Sequence, residues 1–210
     1  MSKKIYLVRH GQTVSNNAGV VQGATDELSE LGRKQAEALC QRILSLQFSH
    51  LLVSDYTRTR QTIFPALTAL SVTPVYTDLV RETRQPSSLI GVSNQDETFL
   101  EYYQQWARHA HDPNWHYEDE ENFPDIINRV QRLFEQVSSY EGDVLIVSHG
   151  RFITYVVMYV ITEGKLDWDT WQICRHGFET TNTGISVITY NERYQGYRLL
   201  TFNDQAHLGE

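Results

Sequence analysis

The chain has 210 residues and a formal net charge of -8, with 40% hydrophobic and 21% charged residues. This length is typical of one packed domain, here residues 1–210, and the composition excludes a disordered or fibrous chain. Because no run of lysine or arginine offsets the negative charge, we expect neither nucleic acid nor an anionic membrane as a partner.

Two further features suggest where the protein works. Cys40 and Cys174 are the only cysteines and form no Cys-x-x-Cys pair, which favours a reducing compartment. The longest apolar stretch, residues 152–161, is much shorter than the ~20 residues that a membrane span needs. We therefore expect a cytoplasmic protein.

Apolar runs and segments of helical periodicity alternate along the chain. The apolar runs predict strands at residues 4–8, 50–53, 75–78, 143–147, 185–190 and 197–202. Apolar residues at helical spacing predict helices at residues 30–46, 57–70, 96–110, 124–139 and 151–161. Ser29 is expected to cap the first helix, and Pro124 to lie in the first turn of the fourth.

This alternation predicts an α/β fold, a three-layer α/β/α sandwich with a mainly parallel central sheet. The last two strands follow each other around a short turn, so they should add at least one antiparallel strand.

Polar residues follow four of the predicted strands directly. They are Arg9-His10-Gly11-Gln12-Thr13, Ser54-Asp55-Tyr56-Thr57-Arg58, Arg81-Glu82-Thr83 and Ser148-His149-Gly150. Ligands bind beyond the carboxyl ends of parallel strands, so these residues should converge. Guanidinium groups match phosphate oxygens, an imidazole is a nucleophile, and a carboxylate can transfer a proton. The pattern predicts a phosphoryl-transfer site.

An ordered set of motifs runs through the first 155 residues. The set consists of Arg9-His10-Gly11-Gln12-Thr13, Asn16, Gln22-Gly23, Leu28-Ser29-Glu30-Leu31-Gly32, Gln35-Ala36, Ser54, Arg58-Thr59, Gln61-Thr62, Glu82 and Ser148-His149-Gly150. Together these residues resemble the histidine phosphatase superfamily, the phosphoglycerate mutase-like proteins. The resemblance implies a phosphoglycerate mutase-like fold and the activity of a phosphatase of small phosphate monoesters.

The resemblance also implies roles for individual residues. His10 would be the nucleophile, and Glu82 the general acid and base. Arg9, Arg58 and His149 would form the phosphate pocket, with substrate contacts from Thr13, Asn16, Gln22 and Gly23. Gly150, like Gly11, leaves room for backbone N–H groups to approach an anion. The family commonly has a glycine a few residues after this glutamate, whereas here residues 84–88 intervene before Gly91.

In the expected mechanism, neutral His10 attacks phosphorus and becomes phosphorylated. Arg9, Arg58 and a protonated His149 stabilise the charge on the phosphoryl oxygens. Glu82 protonates the departing alkoxide and then activates the water that completes hydrolysis. The arginines supply the positive charge, so we expect no metal and no other cofactor. The expected partner is a small phosphate ester, and the sequence indicates no oligomeric state.

Other functions stay open at this stage. A mutase-type phosphotransferase would use the same residues, and a non-catalytic phosphate-binding module would need only the arginines. In addition, Arg9 or Arg58 could pair with Asp55 or Asp78, as arginines of acidic proteins usually do.

The region between Glu82 and His149 carries several groups for which we expect structural roles. His109, His111 and His116 match no zinc spacing, so a solvated loop is favoured. Trp106 and Trp115 are expected in packing, with a substrate lid as the alternative. The acidic segment 118–121 is expected to be a solvated turn. A short cover of this kind should leave the pocket open.

Overall fold

A computed structural model describes residues 3–109 and 111–209 and contains one six-stranded sheet. The strands are β1 (Lys4–Arg9), β2 (His50–Ser54), β3 (Pro74–Thr77), β4 (Val144–Ser148), β5 (Ile185–Asn191) and β6 (Gly196–Asp204). Their order across the sheet is β3-β2-β4-β1-β5-β6. Strands β1 to β4 are parallel, whereas β5 is antiparallel to both β1 and β6. The predicted mainly parallel sheet with an antiparallel closing pair is confirmed.

Seven α-helices accompany the strands in the described part of the chain. They are α1 (Val14–Ala18), α2 (Glu30–Leu44), α3 (Thr57–Leu67), α4 (Glu97–His109), α5 (Phe123–Ser138), α6 (Gly150–Ile161) and α7 (Trp168–Cys174). The five predicted helices are present, with shorter ends for α2 and α3; the predicted last residue of α4, Ala110, lies outside the described residues. Within residues 3–109 and 111–209, no helix combines the length and apolar character of a membrane span.

Side chains that alternate along the strands divide the core into two layers. Ile5 and Leu7 face the helices α5 and α6, whereas Tyr6 and Val8 face α2 and α3. All four side chains are at least 93% buried, and burying such a side chain stabilises the fold by about 1.5–3 kcal/mol. Helices therefore cover both faces of the sheet, which confirms the three-layer sandwich.

The parallel strands end at one edge of the sheet, where the predicted site residues begin. Arg9 of β1 lies in register with Ser148 of β4, and the amide of His10 donates to the Ser148 carbonyl at 3.0 Å. His10 and His149 therefore leave adjacent strands side by side.

Helix caps account for the local structure around this edge. The Ser29 hydroxyl accepts from the amide of Gly32 at 3.0 Å and starts α2, as predicted. Thr13 and Asn16 cap each other's amides and start the short helix α1, which was not predicted. Asp167 caps α7 through the amide of Thr170, and this helix was also missed.

The segment after Glu82 folds back over the loop that follows α1. The Val21 amide donates to the Val92 carbonyl, and the Gly91 amide to the Val21 carbonyl, both at 2.9 Å. Val21, Leu89 and Tyr102 form a small core of their own beneath this cover.

The acidic segment 118–121 is a solvated turn in its first half only: Glu118 and Asp119 are exposed, as predicted, whereas for Glu120 and Glu121 the prediction is wrong. Glu120 is 1% exposed and accepts from the Tyr102 hydroxyl at 2.5 Å. Glu121 forms a two-pronged ion pair with Arg129, with both distances 2.8 Å. Glu120 and Glu121 therefore hold the cover together.

Candidate active site

A cavity of about 590 Å³ opens at the carboxyl edge of the parallel strands. Eight of the ten predicted site residues line it, namely Arg9, His10, Asn16, Gln22, Gly23, Arg58, Glu82 and Gly150. The other two, Thr13 and His149, are fully buried beside it. The structure therefore brings the predicted residues together around one space.

His10 is buried and held in a single tautomer by its contacts. Its Nδ1 lies 2.7 Å from the carbonyl oxygen of Gly11, which can only accept, so Nδ1 carries the hydrogen. Its Nε2 accepts from Nε of Arg58 at 3.3 Å. Burial, assisted by the positive charges of Arg58 and Arg9, holds the pKa of His10 well below its ordinary value of 6.5. The ring is therefore neutral, with a lone pair at Nε2.

The guanidinium of Arg58 joins the two histidines. Its Nε–H group lies between Nε2 of His10 and Nδ1 of His149, at 3.3 and 3.2 Å. Its Nη1 donates to the carbonyl of Gly23 at 2.7 Å, which fixes the plane of the group. Arg58 is 1% exposed, so its charge acts in a poorly screened environment.

His149 differs from the expectation, because this arrangement holds it neutral. Its Nδ1 accepts from Arg58, so the ring hydrogen is on Nε2, which lies 2.8 Å from the Ser54 hydroxyl. Burial and the nearby charge of Arg58 hold the pKa of His149 well below its ordinary value. The predicted protonated His149 is therefore wrong for this structure; the ring orients Arg58.

Arg9 lines the cavity from the other side. Its Nη1 donates to the carbonyl of Thr180, whereas its Nε is buried without a hydrogen-bond partner among the described residues. A side chain at Gly150 would collide here, because a Cβ atom would lie 2.8 Å from the Thr180 hydroxyl and 3.1 Å from Arg9 Nε. The glycine therefore makes room for the guanidinium.

The carboxylate of Glu82 is held at the start of α6. Its Oε1 accepts from the amides of Thr83 and Phe152, both at 2.9 Å. Among the described residues, its Oε2 accepts only from the amide of Arg151, at a longer 3.2 Å. Oε2 is thus the less engaged oxygen of a carboxylate that lines the cavity.

The remaining predicted contact residues have different local roles. Thr13 does not line the cavity; its hydroxyl accepts from the amide of Asn16 at 2.9 Å. The Gly23 amide donates to Asp26 at 2.5 Å and is not free for an anion. Asn16 lines the cavity, and so does Gln22, whose Oε1 is buried without a partner in the part of the chain described.

Comparison with known proteins identifies the family. Residues 5–205 match the histidine phosphatase superfamily (branch 1). The chain belongs to the histidine phosphatase superfamily. A probable phosphatase of Schizosaccharomyces pombe is 32% identical over 211 residues, which cover 98% of this chain and 95% of the relative. This relationship, together with the family, supports a phosphatase.

Two further similarities concern a part of the sequence and the fold. A probable phosphoglycerate mutase of Yersinia pestis is 39% identical, but only over 80 residues, 38% of this chain and 37% of the relative. The structure of mycobacterial glucosyl-3-phosphoglycerate phosphatase superposes with a TM-score of 0.78 at 22% identity, and the match covers 98% of this chain and all of the other. The second similarity shows a shared fold.

Several residues of this histidine phosphatase support His10 and His149 without having been predicted to do so. The side-chain amide of Asn182 donates to the His10 carbonyl at 2.9 Å, and the Thr62 hydroxyl accepts from the backbone amide of Gly11 at 2.9 Å. Ser54 holds the far side of His149. Ser54 ends β2 and, like Thr62, belongs to the motif set given above, but the sequence had indicated no role for either residue.

Arg129 on α5 supports Glu82 in the same indirect way. It is 8% exposed and donates to the carbonyls of Leu79 and Arg81 at 3.2 and 2.7 Å. Its ion pair with Glu121 fixes the guanidinium between the sheet and the cover. The sequence signal for this role is the position of Arg129 on the otherwise apolar face of α5, which the predictions did not use.

The structure also decides between the alternatives left open by the sequence. Asp55 pairs with Arg81 at 2.5 and 2.6 Å and leaves both Arg9 and Arg58 to the cavity. Trp106 and Trp115 do not line this cavity, whereas Trp171 does. Within residues 3–109 and 111–209, no three His, Cys, Asp or Glu side chains come together as metal ligands do.

Proposed function

We propose that this protein hydrolyses small phosphate monoesters through a phosphohistidine intermediate on His10, without a metal ion. One observation carries the proposal: the lone pair of neutral His10 Nε2 points at the Arg58 guanidinium inside the cavity. A nucleophile and a phosphate-binding cation thus meet at one point.

In the first step, His10 Nε2 attacks phosphorus and the bond from phosphorus to the ester oxygen breaks. Arg9 and Arg58 stabilise the charge on the phosphoryl oxygens, since both guanidinium groups line the cavity. Glu82 gives its proton to the departing alkoxide, which leaves as the alcohol. We assign this proton to Oε2, because a single amide of the described chain donates to that oxygen, whereas two donate to Oε1.

In the second step, a water oxygen attacks phosphorus and the bond from phosphorus to His10 Nε2 breaks. The electron pair returns to Nε2, and Glu82 takes a proton from the water. Inorganic phosphate leaves, and the carboxyl group is protonated again. The support of His149 is indirect, because it orients Arg58 through Nδ1.

The first test is turnover of p-nitrophenyl phosphate in the presence of a chelator. The positive charge comes from two arginines, so we expect chelation to change the rate by less than about twofold. The measurement is nitrophenolate release with and without EDTA, followed by addition of Mg²⁺, Mn²⁺ or Zn²⁺. Loss of activity restored by one ion would contradict metal independence, and binding of the ester without turnover would indicate a phosphate-binding module.

The mutase alternative is favoured by the 80-residue match and requires a separate test. A mutase must exclude water while the phosphoenzyme waits for its acceptor. Here the cavity is lined by the exposed residues Arg84, Arg151 and His176, so water has access. We therefore expect 3-phosphoglycerate, primed with the bisphosphate, to yield inorganic phosphate without isomerisation. Efficient formation of 2-phosphoglycerate with little free phosphate would contradict this prediction.

A further inference from the structure

One wall of the cavity is formed by residues that the proposed mechanism does not use. Trp171 lies on α7, and Arg175 lies in the 3-10 turn that continues this helix. Both line the cavity. Residues four positions apart fall on one face of a helix, so the two side chains point to the same side.

Each of these two side chains has a buried N–H group whose hydrogen-bond acceptor is missing from the described residues. Trp171 Nε1 and Arg175 Nε have no hydrogen-bond partner among the residues that the structure describes. Buried donors are normally paired, either within the protein or with a ligand. Both residues line the cavity, which points to a ligand oxygen as the missing acceptor.

Packing fixes the two donors in place. The Trp171 ring stacks on Tyr155 with centroids 3.6 Å apart and an interplanar angle of 12°. The Arg175 guanidinium lies over the Tyr103 ring, 5.3 Å from its centroid. No carboxylate of the described chain forms an ion pair with Arg175, and burial lowers the pKa of its guanidinium. A bound anion would reverse that effect, because an opposite charge favours the protonated form.

The charge balance of the cavity supports the same conclusion. Five arginines line it, Arg9, Arg58, Arg84, Arg151 and Arg175, against a single carboxylate, Glu82. A phosphate monoester dianion balances two of these five charges while Glu82 carries the proton of the first step, and an ionised Glu82 balances a third. The cavity therefore retains positive charge for another anion, although the whole chain has a formal charge of -8.

We propose that Trp171 and Arg175 form a second anion subsite, which binds a carboxylate or a second phosphate of the same substrate. The inference rests on the proposed function, since it places the reacting phosphoryl group at His10. The indole N–H group and the guanidinium donate to the second oxyanion, and Arg175 contributes its charge. The preferred substrates are then phosphate monoesters with two anionic groups.

The test compares esters that differ by one anionic group. For the carboxylate, 3-phosphoglycerate is compared with glycerol 3-phosphate, which has CH₂OH in its place. For the second phosphate, fructose 1,6-bisphosphate is compared with fructose 6-phosphate. We expect the ester with two anionic groups to have the higher kcat/KM in at least one pair, and the better pair identifies the second group.

The decisive variant is Arg175→Gln, with Trp171→Phe as a milder change that keeps the aromatic stacking. Arg175→Gln should raise KM about 10- to 100-fold for the preferred ester with two anionic groups, as expected for loss of a charge-assisted contact. KM for p-nitrophenyl phosphate should stay within about twofold, because this ester has no second anion. Arg33→Gln, on the exposed surface of α2, is the matched control and should change neither value.

Two outcomes overturn the subsite. One is an equal effect of Arg175→Gln on both members of a pair; the other is the absence of any effect. Binding of the same esters to the His10→Ala variant, measured by calorimetry, separates this result from the fate of the proposed function. If no ester is hydrolysed but the Arg175-dependent difference in affinity persists, the phosphatase proposal fails and the subsite stands.

Discussion

Replacing His10 with alanine should lower the rate of ester hydrolysis by about four orders of magnitude or more, the size expected for loss of a covalent nucleophile. The reason lies in the contacts of the ring. Gly11 holds the hydrogen on Nδ1, so Nε2 keeps its lone pair, and His10 lines the cavity. His149 cannot replace this lone pair, because its ring is fully buried and does not line the cavity.

The covalent intermediate provides the more specific measurement. Rapid quenching of the wild-type protein with substrate should trap a phosphate that is labile in acid and stable in base, as a phosphorus–nitrogen bond is. Peptide mapping should place it on His10. A label on a serine, threonine or aspartate would refute the mechanism, and so would full activity of the alanine variant.

Two controls accompany this experiment. His116→Ala removes an exposed histidine outside the cavity and should leave both activity and label unchanged. Thermal unfolding of His10→Ala tests whether the loss of activity reflects loss of structure, since His10 is 2% exposed and its removal leaves space in the core. If the variant unfolds near the wild-type temperature, its structure is intact and the lost activity is due to the missing nucleophile.

The convergence of the site could be predicted because it follows from the sheet. Buried strands such as β1 and β4 have a clear apolar signature, and their carboxyl ends lie at one edge when they are parallel. The strand order of the sheet places β4 beside β1, so His10 and His149 lie side by side with ring centroids 5.1 Å apart. The same reasoning placed Arg58 and Glu82 at the cavity.

The charge state of His149 could not be predicted, because it depends on atoms rather than on order along the chain. Arg58 donates to one ring nitrogen and Ser54 lies against the other. A sequence shows that an arginine and a histidine are close to the same anion, but it does not show which of them donates to the other. Burial then decides the matter in favour of the neutral ring.

Trp171 and Arg175 were missed for a different reason. They follow no strand, and α7 has only seven residues, too few for a periodic pattern to stand out. Its one signal is Asp167, an acidic cap before an aromatic residue. The cover was misjudged similarly, because the burial of Glu120 depends on a contact with Tyr102 from a separate helix.

Glu82 is predicted to be the proton donor, and its replacement by glutamine should separate esters by their leaving group. The amide retains an oxygen for the contacts with Thr83 and Phe152 but has no acidic proton. An alkoxide needs a proton as it leaves, so kcat/KM for an alkyl phosphate should fall by about 10²- to 10⁴-fold. A nitrophenolate leaves without help, so kcat/KM for p-nitrophenyl phosphate should fall by less than about tenfold.

The base role of Glu82 adds a second signature to the same variant. Phosphohistidine hydrolysis also needs the carboxylate, so Glu82→Gln should release a burst of nitrophenolate and then slow down while phosphorylated His10 accumulates. Glu101→Gln, on the exposed side of α4, is the matched control and should show neither effect.

Equal losses of kcat/KM for alkyl and aryl esters would assign the proton to another group. Asp55 and Glu121 are poor candidates for it, because Arg81 and Arg129 already bind their carboxylates and neither residue lines the cavity.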